Sequence, residues 1–477
     1  MDYSKAQLNG TAPGSAALAV LTALEAAGLE AWIVGGWVRD ALMGRPAHDV
    51  DMCCSGTWQR NEAALAAAGI PVVESGVKFG GITAVVGGER IEVTTYRIDG
   101  FYTDGRHPEE IRPADSVEED LARRDFTVNA MAWHPARGLL DRYDGEGDIA
   151  RRQIRTVGDP RQRFAEDALR ILRAVRFACR LGFAVEPDTA AALAALAPTL
   201  DAVARERVGE ELSGILLTCR AGRAMLAYPE VFCAAVPELG ACRGFDQHSR
   251  FHIYDVYEHI AHVLDAADHE TDAARPAPSL LWAAFLHDIG KPACFTLDER
   301  GNGHFYGHPD AGAEMVPRIM HRLARPERLI HEVQLLVKYH DRPMEPTRRD
   351  VLNMMHRLSG GGLDAVRLID ELFDLRIADC RGKAPGCLGY IDTIERMRSI
   401  AHGCVTAGDP YALKMLAITG RDLIAAGVVP GRAIGELLNR ALAGAMAGRV
   451  ANERAALLAY VGLGDDGASG AAADSGR

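Results

Sequence analysis

Residues 32–52 run WIVGGWVRDALMGRPAHDVDM. A short apolar run ends in Gly35-Gly36, an amphipathic segment follows from Trp37 to Met43, and after Gly44 and Pro46 the chain resumes with Asp49-Val50-Asp51. This order predicts strand, glycine turn, helix, turn, strand. Side chains alternate along an extended segment, so Asp49 and Asp51 share one face while Val50 enters the core. Two carboxylates side by side repel each other unless a cation neutralises them. Hard oxygen donors suit Mg²⁺, which also takes water and substrate phosphates. Gly35 and Gly36 at a helix start offer backbone N–H groups to an anion. Asp-x-Asp alone often ends a solvated strand, and Gly-Gly alone is often only a turn. Their joint occurrence at this spacing points to a site for a metal-bound nucleoside triphosphate.

GGWVRDALMG followed by HDVDM resembles the opening motif of the tRNA nucleotidyltransferases, the CCA-adding enzymes of bacterial and eukaryotic type within the polymerase-beta-like superfamily. The resemblance implies an α/β head, with a mixed sheet and helices, followed by an all-α neck, an HD-type body and a tail. It also implies that Asp49 and Asp51 hold two Mg²⁺ ions, and that Gly35, Gly36 and Arg39 contact the nucleotide.

Residues 13–29 read as a leading helix, and PVVES, ITAVVGG and RIEVTTYRID read as β runs between Ile70 and Asp99. In the last of these Ile91 and Val93 face one way and Glu92 the other, so a strand beside the Asp pair would bring Glu92 in as a third carboxylate. The family has an acidic residue at this place. The polar segment 99–116, rich in Gly and Pro, reads as a mobile loop. Similar enzymes use such a loop to switch from C to A addition, and its full length here favours complete CCA synthesis. Arg123-Arg124-Asp125-Phe126-Thr127 with Asn129-Ala130-Met131 matches the family's RRDFT-NAM pattern. Guanidinium groups bind phosphate bidentately and an amide can bond a sugar hydroxyl, so Arg124, Asp125 and an Asn129 carried on a helix are assigned to triphosphate and ribose. LLDRYDGEG (139–147) matches the motif that closes the head, with Asp141 and Gly145 in structural roles.

FAEDALRILRAVRFACRLGF (164–183) predicts one helix, with Ala168, Leu169, Leu172, Val175 and Phe177 as its core positions and Asp167, Arg170 and Arg173 at steps of three on another face. EDALRILRAVRF is close to the family's base-choosing motif. Cytosine and adenine both present an amino donor beside a ring-nitrogen acceptor. A carboxylate only accepts and a guanidinium only donates, so Asp167 and Arg170 would admit CTP and ATP and leave UTP or GTP with mismatched groups. Arg173 and Arg176 join the nucleotide contacts through the same motif. Arg205-Glu206-Arg207-Val208 with Glu210-Glu211-Leu212 resembles the family's ER-x-x-x-EL helix, but Ser213-Gly214 stands where a Lys is common.

Farther on, His259, the adjacent pair His287-Asp288 in HDIGKP, and Asp379 form the pattern of the HD phosphohydrolases on helices, with His308 and His340 as further candidates. Imidazole and carboxylate ligands suit a divalent transition metal able to activate water against a phosphate ester. ITGRDLIAAGVVPGRAIGELLNRAL resembles the family's C-terminal segment, in which Arg421, Arg432 and Arg440 are candidates for tRNA phosphates.

The 477 residues are 48% hydrophobic and 25% charged, as in ordinary globular proteins. No apolar run is long enough to span a bilayer and the N-terminus lacks a signal-peptide layout, so a cytoplasmic location is expected. Ten Cys without C-x-x-C spacing argue for core thiols over a zinc ribbon. The net charge of −12 does not by itself suggest RNA, so binding would rest on local basic clusters. The expected domains are a catalytic head at 1–147, a neck at 148–227, an HD-type body at 228–398, a helical tail at 399–463 and a disordered end at 464–477. The expected partners are CTP, ATP and the tRNA 3′ end, with no membrane. Two same-superfamily rivals share the head: a poly(A) polymerase and an enzyme adding only the terminal A. A rival of another class makes the HD site the main enzyme and the head a regulatory nucleotide binder.

Overall fold

The computed structural model describes residues 12–46, 49–75, 77, 80–99, 111–269 and 276–463. Most of the predicted 99–116 loop and the predicted disordered end lie outside them. The chain forms two compact units, Met1–Pro237 and Glu238–Arg477.

In the first unit α1 (Ala12–Ala26), β1 (Ala31–Val34), α2 (Gly36–Leu42), β2 (Asp51–Cys54), α3 (Trp58–Ala67), β3 (Val72–Val73), β4 (Gly81–Val86) and β5 (Glu89–Thr95) follow in order. Then come β6 (Arg97–Asp99), β7 (Ile111–Pro113), α4 (Val117–Ala122), β8 (Met131–His134), β9 (Gly138–Asp141) and α5 (Gly145–Arg151). Seven strands make one mixed sheet in the order β3-β4-β5-β2-β1-β8-β9. β2 and β5 are parallel neighbours and pair Asp51 with Glu92 and Met52 with Val93. Alternation sends Ile33, Met52, Ile91 and Val93 into a core with Val20 and Leu24 of α1 and Leu65 of α3. Trp32, Val34 and Cys53 pack on the opposite face with Val117 and Leu121 of α4. Asp51 and Glu92 therefore project on the face away from the α1–α3 core. Asp141 accepts from the backbone N–H of Gly145 at 2.9 Å and Glu146 at 2.8 Å, fixing the start of α5.

The first unit continues with α6 (Pro160–Glu166), α7 (Leu169–Leu181), α8 (Pro187–Leu196), α9 (Arg205–Leu216), α10 (Ala221–Ala227) and α11 (Pro229–Ala235). The helix expected over 164–183 is broken. Asp167 is extended, at φ −145° and ψ 105°, and separates α6 from α7. Its carboxylate accepts from the N–H of Leu169 at 3.0 Å, the local side-chain bond by which Asp competes with helical backbone.

The second unit holds α12 (Val256–His269), α13 (Pro278–Leu286), α14 (His308–Arg322), α15 (Glu327–Tyr339), α16 (Arg348–Leu358) and α17 (Ala365–Arg381). α13 is buried from Ser279 to Leu286, as its unbroken apolar sequence requires. α18 (Ile391–Thr406), α19 (Gly420–Ala425), α20 (Arg432–Met446) and α21 (Arg454–Tyr460) complete it. Of the tail arginines, Arg440 is turned inward to the Val461 carbonyl and Arg432 pairs with Glu436 at 2.8 Å. All ten cysteines are free thiols. Among the described residues no helix is long and apolar enough to cross a membrane.

Candidate functional site

Asp49, Asp51 and Glu92 are among the residues lining a cleft of about 570 Å³ in the first unit. In-register pairing of β2 with β5 sets Asp51 beside Glu92. Burial in the cleft raises the carboxyl of Asp51 above its ordinary value. Asp49 adds to the rise, and Arg124 opposes it. Burial and then Asp51 raise Glu92 in the same way. Carboxylates that make one another harder to ionise form a donor set suited to a hard divalent cation.

Gly35 holds the turn before α2 with φ of 75°, and a Cβ there would stand 3.0 Å from an Arg124 guanidinium nitrogen. The expected amide cradle is reduced: the Gly35 N–H is taken by the Met131 carbonyl at 3.2 Å, and α2 has only seven residues. Asn129 sits in a short 3-10 turn, Thr127–Asn129, and not on the helix expected for it. There its side-chain oxygen accepts from Arg39 at 2.6 Å, while its amide donates to Asp125 at 3.3 Å. Asp125 in turn receives two Arg173 donors at 2.9 and 2.6 Å. Burial alone would raise the Asp125 carboxyl, and Arg173 outweighs it to hold the group below its ordinary value. A polar chain thus runs from α2 to α7 through the RRDFT-NAM segment. Arg124 donates to the Asn129 carbonyl at 3.4 Å and to Asp120 at 3.2 Å.

Asp167, Arg170 and Arg173 line the same cleft. Asp167 and Arg170 are not ion-paired to each other as an i, i+3 pair. Asp167 is 3.3 Å from Arg207 of α9, and Arg170 is 2.6 Å from Glu166 and donates to the carbonyls of Arg163 and Arg123 at 3.1 and 3.2 Å. Arg176 is absent from the cleft lining and pairs with Glu211 at 3.1 Å. Sequence reasoning missed Arg207 and Glu166. Arg207 and Glu211 lie one turn apart on α9, and that spacing was the available signal.

The second unit has a cleft of about 740 Å³ lined by Asp288, His308, His340 and Asp379, with His252, Lys291 and Lys383. The six sequence candidates converge, mostly at helix ends: His287 and His340 close α13 and α15, and His308 opens α14. Oδ2 of Asp288 is 3.1 Å from His259 and 3.2 Å from His287, and Oδ1 is 3.3 Å from His308 and 3.7 Å from His340. Asp379 approaches His259 at 3.2 Å. Each Nδ1 meets a backbone carbonyl: Gly382 at 3.0 Å, Ala284 at 2.9 Å, Phe305 at 2.8 Å and Val337 at 2.8 Å. A carbonyl only accepts, so Nδ1 carries the proton and all four Nε2 atoms turn lone pairs inward. His259, His287 and Asp288 form one potential metal triad, and Asp288, His308 and His340 a second. The sequence had not singled out His252, which burial and the neighbouring Lys291 pull down to about 2.

Comparison with known proteins agrees with both units. A Poly A polymerase head domain model matches residues 31–155, and an HD domain model matches 252–381. A "Probable RNA and SrmB- binding site of polymerase A" model matches 182–229, and a tRNA nucleotidyltransferase domain 2 model matches 411–461. The CCA-adding enzyme of Leuconostoc mesenteroides is 42% identical over 206 residues, 43% of this chain. That match spans half of the relative's own length. The CCA-adding enzyme of Lactobacillus delbrueckii subsp. bulgaricus is 28% identical over 94% of this chain and 97% of its own. The crystal structure of Bacillus stearothermophilus CCA-adding enzyme in complex with CTP superposes with a TM-score of 0.68 at 26% identity, covering 94% of this chain and 97% of that one. Both classes of domain use divalent metals, in keeping with the two donor sets. A polymerase head model and an HD domain model in one chain, with alignment almost end to end to these enzymes, make the chain similar over nearly its whole length to the CCA-adding enzymes, the tRNA nucleotidyltransferases.

Proposed function

We propose that this chain adds CCA to the 3′ end of tRNA without a nucleic-acid template, using CTP and then ATP and releasing pyrophosphate. The observation that carries the reading is one cleft whose lining holds both the carboxylates Asp49, Asp51 and Glu92 and the pair Asp167 and Arg170. The relative solved with CTP is similar over nearly the whole chain. Asp49 and Asp51 would hold Mg²⁺ with Glu92 close by. The metal supplies neutralisation of the triphosphate and a lower pKa for the attacking hydroxyl. Arg39, Arg124 and Arg173 hold phosphate charge, and Asn129 and Asp125 fix their directions. Asp167 accepts the amino hydrogen of cytosine or adenine, and Arg170 donates to the ring nitrogen. Gly36 supports the turn that carries Arg39, and Arg176 acts from behind the cleft wall. In this reading the enzyme works in the cytoplasm, on tRNA 3′ ends, in a head at 1–147 with a neck at 148–227.

The second unit, which holds all but the first residues of a body at 228–398 and a tail at 399–463, supports a second reading. The inward Nε2 atoms of His259, His287, His308 and His340, with Asp288 and Asp379, form a site for a divalent transition metal and phosphohydrolase chemistry on RNA ends or nucleotides. Three tRNA substrates, ending at the discriminator base, at C and at CC, each given CTP, ATP, UTP or GTP with Mg²⁺, test the main reading. Completion of all three to CCA followed by arrest supports it. Extension of the CC-ended substrate alone points to an A-adding enzyme, long A tails point to a poly(A) polymerase, and no extension leaves the HD site as the main enzyme.

A further inference from the structure

Phe177 reads in sequence as one more core position of α7, and it is buried at 7% exposure. Its surroundings are not those of an ordinary core residue. The guanidinium carbons of Arg173, Arg39 and Arg176 lie 5.5, 5.6 and 5.7 Å from its ring centroid. The ring is itself held edge-on by Phe126 of the RRDFT segment, centroids 5.7 Å apart and planes at 71°. Arg39 arrives from α2 and the other two from α7, so residues of head and neck meet on one aromatic ring. Arg176 reaches it along Gly214, where a Cβ would stand 2.8 Å from the arginine's Cδ. The Ser213-Gly214 departure from the family pattern therefore leaves room for this side chain.

Three cations gathered this closely repel one another. Their carboxylate partners are spread apart: Asp40 is 2.8 Å from Arg39, Asp125 is 2.6 Å from Arg173, and Glu211 is 3.1 Å from Arg176 and 3.9 Å from Arg173. The feature common to all three is the ring, whose negative face attracts a guanidinium within about 6 Å. Phe177 also lines the nucleotide cleft together with Arg39 and Arg173.

We propose that Phe177 is a positioning residue for the nucleoside triphosphate: its ring, braced from behind by Arg176, sets Arg39 and Arg173 as one preset cationic wall that meets the phosphates without rearranging. The inference rests on the nucleotidyltransferase reading and adds the residue that organises its phosphate site. Preorganisation of this kind acts on binding, because the arginines would otherwise have to be ordered by the substrate.

The test compares the full chain with Phe177→Leu, which keeps apolar bulk and removes the ring, and with Phe177→Tyr, which keeps the ring. Phe177→Met replaces Phe177→Leu if that variant does not fold. Binding of CTP and ATP with Mg²⁺ is measured at equilibrium, and KM and kcat are measured on CC-ended tRNA with ATP. The expected result is a KM and Kd about five- to thirty-fold higher in Phe177→Leu, with kcat within about threefold, and recovery to within about threefold of wild type in Phe177→Tyr. Unchanged binding in Phe177→Leu overturns the proposal. So does a fall in kcat and melting temperature with KM unmoved, or a Tyr variant no better than Leu. A wild-type chain that binds neither CTP nor ATP is a separate result, one that removes the nucleotidyltransferase reading itself and this inference with it.

Discussion

In the head cleft burial, with Asp49 beside Asp51 and Asp51 beside Glu92, raises the carboxyl groups of Asp51 and Glu92 above their ordinary values, although both residues keep an exposed surface. In the second unit Asp288 is 1% exposed, and the imidazoles that converge on it are each fastened through Nδ1 to the backbone. Burial by itself would raise Asp288, yet His287 and Lys291 hold it well below the usual carboxylate range. One set of ligands is left electrostatically unsatisfied and open, and the other is oriented before any ion arrives. An open, self-repelling set suits a metal that comes and goes with a triphosphate. An anchored set suits a resident ion, because fixed tautomers and directions reduce the ordering that binding requires. Two metal chemistries in one chain are thus distinguished by how the ligands are held as well as by ligand type.

The sharpest way to break this contrast is to delete one ligand from each cleft. Asp51→Ala should lower CCA addition by roughly a thousand-fold and leave any HD-site phosphodiesterase activity within about twofold. Asp288→Ala should do the reverse. If either substitution abolishes both activities, the clefts do not work independently. Next in size is metal retention. After gel filtration without added metal, elemental analysis should find a transition metal on wild type and none on Asp288→Ala, while nucleotide addition should return on adding Mg²⁺ alone. Equal metal content in the two proteins would mean that the anchored imidazoles hold no resident ion.

Arg207→Ala tests the base-reading end. Freed from the 3.3 Å contact with Arg207, Asp167 should lose its fixed direction, and discrimination of CTP and ATP against UTP and GTP should fall about tenfold. A parallel loss for all four nucleotides would indicate a structural role only. The smallest effect concerns stability. The folded-state pKa of Asp51 lies above its unfolded value, so the folded chain binds more protons across that window. Stability is therefore lost as pH rises through the window and stays lower above it. Asp51→Asn should accordingly raise the melting temperature of the metal-free chain slightly at neutral pH and leave it unchanged in strong acid. A lower melting temperature at neutral pH would contradict the cost of burying Asp51 beside Asp49.

How much of this could be read from the sequence depended on the range of the interaction. Asp51 and Glu92 were legible because strand alternation is local and apolar neighbours such as Met52 and Val93 mark the other face, whereas Asp49 lies just ahead of β2. The break at Asp167 was hidden because the apolar period runs through it, while the side-chain bond that stops the helix leaves no trace in the pattern. Arg207 was hidden because its partner lies 40 positions away, and a pairing at that distance is set by how α7 meets α9. Arg176 shows a different limit: the motif assigns it to the nucleotide, while its pairing with Glu211 and its place against Phe177 are set by packing that spacing does not specify. The HD residues were legible as types. Their division into two triads around one carboxylate depended on helix ends that spacing does not specify.

The pairing of Asp51 with Glu92 has a consequence for where this protein can vary in length. Parallel strands lie about 4.8 Å apart, so the separation of these two carboxylates is dictated by backbone hydrogen bonding between β2 and β5. A sheet accepts only whole-residue steps, and one step reverses every side chain. A single inserted residue within β5 ahead of Glu92 would bury the carboxylate in the α1–α3 core and turn Ile91 or Val93 into the cleft. The Gly87-Gly88 turn between β4 and β5 is free of that constraint and can lengthen without disturbing the register of β2 and β5. Descendants of this sequence should therefore gain and lose residues at the turn and keep strict length in the strand, a pattern imposed by the spacing of the sheet independently of the chemistry it supports.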